Sequence, residues 1–117
     1  MRLNEVTYPN AKPVEGYGPG FFRIGGLVHT GPLLILPEQQ LSWDGYEDTA
    51  AILAAAETID VLFIGTGAEI AHIPAALRTT LEEVGIGVEV MSSPSACRTY
   101  NVLLSEGRRI ALAVLPV

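Results

Sequence analysis

One cysteine, few cations and no long apolar run mark this 117-residue chain, and each scarcity excludes something. Cys97, being alone, can form no internal disulfide, and no second cysteine stands at metal-ligand spacing. A reducing, cytoplasmic setting without a structural metal or cofactor is the expectation. Seven Lys and Arg against thirteen Asp and Glu leave a net charge of −6, which argues against nucleic acid as a partner, because backbone affinity needs clustered cations. Three of those seven cations fall at Arg98, Arg108 and Arg109, so a local positive spot remains on an acidic body. No run reaches the ~18–20 apolar residues of a membrane-spanning helix. The opening "MRLNEVTYPNAK" has no apolar stretch behind its basic residue and does not read as a secretory leader.

What is present is apolar and small. Hydrophobic residues make up 49% of the chain, and the mean hydropathy is +0.34. A chain of this size supports one core and reads as a single α/β domain over 1–117. An apolar surplus points to a surface that meets a protein partner, or a second copy in a homo-oligomer. Alanine content alone offers the plainer account.

The first twenty residues read as loop, with Pro9, Pro13, Pro19 and three glycines. "FFRIGGLVHTGPLLILP" then gives short antiparallel strands broken at Gly25-Gly26 and Gly31-Pro32, the last ending at Pro37. "LSWDGYEDTA" reads as a connection into a helix near 47–57, with Thr49, Ile52, Leu53 and Ala56 on one face. From residue 60 the pattern becomes regular. "DVLFIG" is a strand covered on both sides. Pro74 opens a helix whose inner stripe is Leu77, Leu81 and Val84, with Arg78 and Glu82 paired outside and Gly85 as its stop. "GVEVM" is the next strand, Ser93-Pro94 starts the next helix, Gly107 ends it, and "RIALAVL" closes the series. Strand–helix–strand–helix–strand predicts parallel pairing. The predicted fold is therefore α/β and three-layered. Its mixed central sheet has about six strands, antiparallel in the N-terminal part and β-α-β-α-β in the C-terminal part.

On a helical wheel Ala96, Cys97, Tyr100, Leu103 and Leu104 form the core arc. Cys97 then reads as a small buried apolar residue, and Tyr100 as a buried ring whose hydroxyl needs a partner. Arg98, Asn101 and Ser105 fall opposite, with Val102 among them and Thr99 uncommitted. A solvated face, a partner surface and an anion site all fit that arc. Arg98 in the first helical turn opposes the helix dipole unless an anion compensates it.

"IGTG", residues 64–67, follows a buried strand, where open α/β sheets often hold ligands. Position 70 is Ile rather than a third glycine, and the next helix starts only near Pro74, so the dinucleotide fingerprint is incomplete. A strand end that lets backbones approach closely is the plainer reading. His29 and His72 lack partners at recognisable spacing; Ser92, Ser93 and Ser95 lack the strained setting of a nucleophilic serine. Glu82 and Glu83 suit an exposed helix face, and Trp43 an anchor over the sheet. No constellation amounts to an active site.

"IDVLFIGTG", "LRTTLEEVGIGVEVM" and "ACRTYNVLLSEGRRIALAVL", with "GYGPGFFRIGGLVHTGPLLILP" before them, resemble a family of small α/β proteins of unknown function. That family includes the mitochondrial complex I (NADH dehydrogenase) assembly factor 3. The resemblance spans nearly the whole chain, and Cys-Arg-Thr-Tyr-Asn is its most specific element. It implies a three-layer fold, no established activity or cofactor, and a role exercised through protein contacts near the inner membrane. Gly65, Thr66, Gly67, Arg98, Thr99, Tyr100 and Asn101 match its pattern and are the candidate ligand- or partner-binding residues. The expected function is a non-enzymatic binding or assembly-factor-like domain. The alternative is an anion-binding protein or enzyme with its site between the Gly65–Gly67 loop and the helix starting near Pro94.

Overall fold

The computed structural model describes residues 11–117; the loop reading of Pro9 and the leader reading of the first residues lie outside them. In chain order the elements are β1 (Val14–Gly18), β2 (Phe21–Ile24), β3 (Leu27–Thr30), β4 (Leu33–Leu36), β5 (Gln39–Ser42), α1 (Ala50–Ala54), β6 (Val61–Gly65), α2 (Ala75–Glu83), β7 (Gly87–Met91), α3 (Ser93–Ser105) and β8 (Ile110–Val114). They form a three-stranded antiparallel sheet, β1-β2-β3, and a five-stranded mixed sheet in the order β5-β4-β8-β6-β7. The α/β class and the mixed sheet agree with the sequence reading. The eight strands divide between two sheets instead of placing about six in one.

The mixed sheet separates two cores. On one face Leu34, Leu36, Leu62, Ile64, Val88, Ala111 and Ala113 meet Ile52 of α1, Leu77 and Leu81 of α2, and Trp43. On the other, Leu33, Ile35, Phe63, Ile110, Leu112 and Val114 meet Ala96, Cys97 and Tyr100 of α3 together with Val14, Phe22 and Ile24 of the small sheet. Alternate residues of β8 thus serve opposite layers, as strand periodicity requires. Strand β6 passes to β7 through α2, and β7 crosses back over β6 to β8 through α3. Right-handed crossovers in opposite directions set the two helices on opposite faces.

Both long helices stop as their glycines predict. Gly85 has φ +89° and Gly107 φ +75°. The amide of Ile86 reaches Leu81 O at 3.1 Å, and that of Arg108 reaches Leu103 O at 3.1 Å, the six-to-one bond of a Schellman motif. Ile86 is buried against the core, but Val84, expected on the inner stripe of α2, is 46% exposed at the C-cap. The Arg78–Glu82 pair stands outside at 3.4 Å. Trp43 is buried, its Nε1 donating to Asp48 O at 3.0 Å and its ring edge-on to Tyr46 at 5.8 Å.

Three elements depart from expectation. Residues 14–18 are a strand rather than loop, because Pro19-Gly20, with Gly20 at φ +81°, makes a turn into β2. Gly18 leaves room for the Phe21 ring: a Cβ there would lie 2.5 Å from it. Leu41 and Ser42, expected in the connection, join Gln39 and Gln40 in β5, which adds to the apolar β4 through its free edge. The helix expected near 47–57 is confined to Ala50–Ala54, with Ile52 its buried residue.

Candidate functional site

Open α/β sheets bind ligands beyond the carboxyl ends of their strands, where neighbouring crossovers leave in opposite directions. Here β6 leaves toward α2 and β7 toward α3 on the other face, so that crevice lies at the ends of β6 and β7, beside the start of α3. It is filled by the chain itself. Gly65 ends β6 so close to α3 that a Cβ would lie 2.7 Å from Ser93 Cα, Ser93 Oγ and Val114 Cγ1 alike. The missing side chain therefore admits the helix start, the close approach anticipated for "IGTG".

Ser93 closes the gap. It is 1% exposed, the buried polar residue of the described chain. Its hydroxyl accepts from Gly67 N–H at 2.9 Å and donates to the Leu115 carbonyl. Its own amide donates to Gly67 O at 2.7 Å. Gly67, at φ +105°, turns both peptide groups toward Ser93 in a conformation that favours glycine. The helix cap is Ser92, one residue before the expected start, and its Oγ accepts from Ser95 N at 3.4 Å.

Thr66 is equally occupied. Its amide donates to Met91 O at 2.9 Å. Its hydroxyl lies 2.8 Å from Glu69 O and 3.2 Å from Met91 O, and accepts from Ala71 N–H at 3.0 Å. One side chain thereby folds the loop that leads to α2. An anion at a helix start needs free N–H groups. The amides of Thr66, Gly67, Ser93, Ser95 and Ala96 all have partners within the chain, and Pro94 has none to offer.

The remaining candidates on α3 point three ways. Arg98 is exposed, with Nη2 at 3.4 Å from Ser95 Oγ. It lines a shallow depression of about 400 Å³ with Thr99, Val102 and Leu103, and the Gly65–Gly67 loop forms no part of that lining. Thr99 Oγ1 donates to Met91 Sδ at 3.6 Å. Tyr100 is fully buried, its hydroxyl donating to Lys12 O at 3.2 Å; burial raises its pKa, with the nearby Cys97 adding to the shift. The Cys97 thiol is buried and pushed up to about 12 by desolvation, so it carries no thiolate at neutral pH.

Asn101 differs most from the wheel, which set it facing outward. Its Oδ1 accepts from Val14 N–H at 2.8 Å and its Nδ2 donates to Val14 O at 2.8 Å. The amide imitates a neighbouring strand and covers the free edge of β1. Gly65, Thr66 and Gly67 thus gather around Ser93, whereas Tyr100 and Asn101 hold the small sheet. Local patterning reads the Ser93 hydroxyl only as nucleophile or cap, and so misses this role. A strand-ending glycine facing a small polar residue at a helix start is the signal that finds it.

A larger concavity lies elsewhere. It measures about 490 Å³ and runs between the 70–73 loop, α2 and β7, lined by Ile70, His72, Ile73, Arg78, Thr79 and Val90 among others. No group of three or more His, Cys, Asp or Glu side chains among the described residues could hold a metal, and no described helix is long and apolar enough to cross a membrane.

With this geometry the chain can be set beside known proteins. An uncharacterised protein of Rhodobacter capsulatus is 51% identical over all of this chain and 94% of its own length. The NADH dehydrogenase [ubiquinone] 1 alpha subcomplex assembly factor 3 of Danio rerio is 34% identical over 88% of this chain; the match spans only 63% of that longer protein. A crystal structure from Bartonella henselae, described as an outer membrane protein, superposes with a TM-score of 0.84 at 35% identity, covering 93% of this chain and 98% of the other. Residues 14–115 match the family described as protein of unknown function (DUF498/DUF598). The family resemblance carried by the Gly-Thr-Gly and Cys-Arg-Thr-Tyr-Asn segments is thereby established, and the chain belongs to the DUF498/DUF598 family.

Proposed function

We propose that this chain is a non-enzymatic, assembly-factor-like protein that acts through protein contacts in the cytoplasm, in the assembly of a respiratory or other membrane complex. The observation that carries this reading is the 34% identity with an NADH dehydrogenase assembly factor across 88% of the chain. The closed crevice supports it. Where an α/β enzyme would hold substrate, Ser93 and Gly67 satisfy one another, and the chain's one thiol is protonated and buried. The anion-binding alternative keeps Arg98 as a cation but loses the amides that would have joined it.

Deleting the gene in the organism that encodes it tests the proposal. NADH dehydrogenase subcomplexes should accumulate on native gels, and NADH:quinone activity of the membranes should fall. A fully assembled complex of normal activity in the deletion strain would end the reading for that complex.

A further inference from the structure

Each sheet has two outer strands, and they are not treated alike. An uncovered edge offers unpaired N–H and C=O groups to another chain, and proteins blunt such edges with charge or with covering groups. On β1 the Asn101 amide takes both groups of Val14. On β7 the Arg78 guanidinium donates to Val88 O at 3.2 Å. Strand β5 is polar, with Gln39, Gln40 and Ser42, and lies between Glu38 and Asp44. Two copies meeting there would set carboxylates against carboxylates.

Strand β3 has none of these devices. No Asp, Glu, Lys or Arg occurs between Arg23 and Glu38. Leu27 is 75% exposed and Val28 52% exposed, and successive strand residues face opposite sides of the sheet. Ile24 pairs with Leu27 around a two-residue turn whose glycines both have positive φ, +59° and +79°, as a type I′ hairpin requires. The closing pair of such a hairpin exchanges both backbone bonds, and the pattern alternates from there. Leu27 and His29 therefore face β2, while the N–H and C=O of Val28 and Thr30 point outward. Among the described residues nothing bonds them.

We propose that β3 is a self-association edge, and that its occupant is β3 of a second copy of this chain. An antiparallel pair centred on His29 sets Val28 opposite the second copy's Thr30 twice over. Four backbone hydrogen bonds then join two small sheets into one of six strands. The edge is self-complementary, and no like charges meet along it although each chain carries −6. With no pocket beside them, Leu27 and Val28 give a foreign peptide little to be recognised by, whereas pairing with a copy makes the Val28–Thr30 contact twice by symmetry. A four-residue edge buries less than the roughly 1,200–2,000 Å² of a stable complex, so the dimer forms only on concentration.

Sedimentation of the intact chain up to about 1 mM, the range of such weak affinities, tests this. The mean mass should rise from 12.5 kDa toward twice that value, and amide NMR shifts of residues 27–30 should move with it. Thr30→Pro, which removes an outward N–H, and Val28→Lys, which charges the edge, should each stay monomeric with unchanged circular dichroism. Should Thr30→Pro fold poorly, Val28→Lys alone decides, because its side chain is exposed. His29→Cys should form an intermolecular disulfide on oxidation, which buried Cys97 in the parent chain does not. A monomer at every concentration overturns the proposal, as does association that survives both edge variants or shifts mapping to β5 or β7. None of these outcomes bears on the respiratory-assembly reading, which the deletion strain tests separately.

Discussion

In the C-terminal half, β6 lies between β7 and β8 in full parallel ladders, and both faces are covered by helices or strands. The small sheet of β1, β2 and β3 is bonded within itself and is held to the rest mainly by one helix. That hold includes the Val14, Phe22 and Ile24 side chains in the second core, the Asn101 bonds to Val14, the Tyr100 bond to Lys12 just before β1, and one backbone bond from Gly20 N–H to Val117 O at 3.3 Å. From this bonding the first region is expected to lose its fold only with the whole molecule. The second is expected to open separately, because fewer groups tie it down. Helix α3 serves both: its first turn locks the sheet ends through Ser93, and its third turn clasps β1.

The strongest way to break this comparison is at Gly65. Alanine there puts a Cβ 2.7 Å from the backbone of Ser93 and from Val114, and neither a central strand nor a helix start can yield cheaply. Overpacking of this kind costs about 3 kcal/mol, which lowers Tm by roughly 10 °C in a domain of this size. Gly65→Ala should therefore unfold early and in one step, both regions together, by thermal denaturation followed with circular dichroism. A variant as stable as the parent would mean that the crevice is not packed as described.

A smaller and more local effect is expected at Asn101. Asn101→Leu keeps the volume but removes both bonds to Val14. A net loss of about 1–2 kcal/mol follows, confined to the small sheet. Native-state hydrogen exchange reads this directly: the Val14 amide should exchange much faster while those of β6 and β8 keep their protection. Equal acceleration in both regions would show that the small sheet does not open separately.

Why Asn101 was illegible follows from the same geometry. A helical wheel sorts residues by affinity for water and sends an asparagine outward, yet a side-chain amide can satisfy a peptide edge as well as water can. Its partner, Val14, lies 87 residues away, so no local window contains the pair. Strand β1 was hidden for the same reason, since its glycines and prolines read as loop until Phe21 and α3 are set against it. By contrast Gly85, Gly107, the Leu77–Leu81 stripe and the "DVLFIG" strand were legible, because caps and periodicity act within a few residues. For the candidate site, the sequence showed that Gly65 permits a close approach but not what approaches. Ser93, 26 residues beyond Gly67, could be identified only once the crossover had brought them together.

The mildest test concerns the shared helix and appears only in alkali. Cys97 sits between the sheet and α3 with its thiol raised from 9.0 to about 12 by burial. Below pH 9 the thiol is protonated in both folded and unfolded chains and contributes no pH dependence. Between pH 9 and about 12 the unfolded chain releases this proton while the folded chain retains it, so stability falls as pH rises through that window. Buried Tyr100, raised in the same direction, adds to the fall. Urea midpoints of the parent should therefore decline from pH 8.5 to 10.5 more steeply than those of Cys97→Ala, although the variant starts lower because a small cavity replaces the sulfur. A thiol reagent at pH 8 should leave the folded chain unmodified and label it fully in guanidinium. Rapid labelling of the folded chain would place Cys97 at the surface and remove the core arc on which both uses of α3 depend.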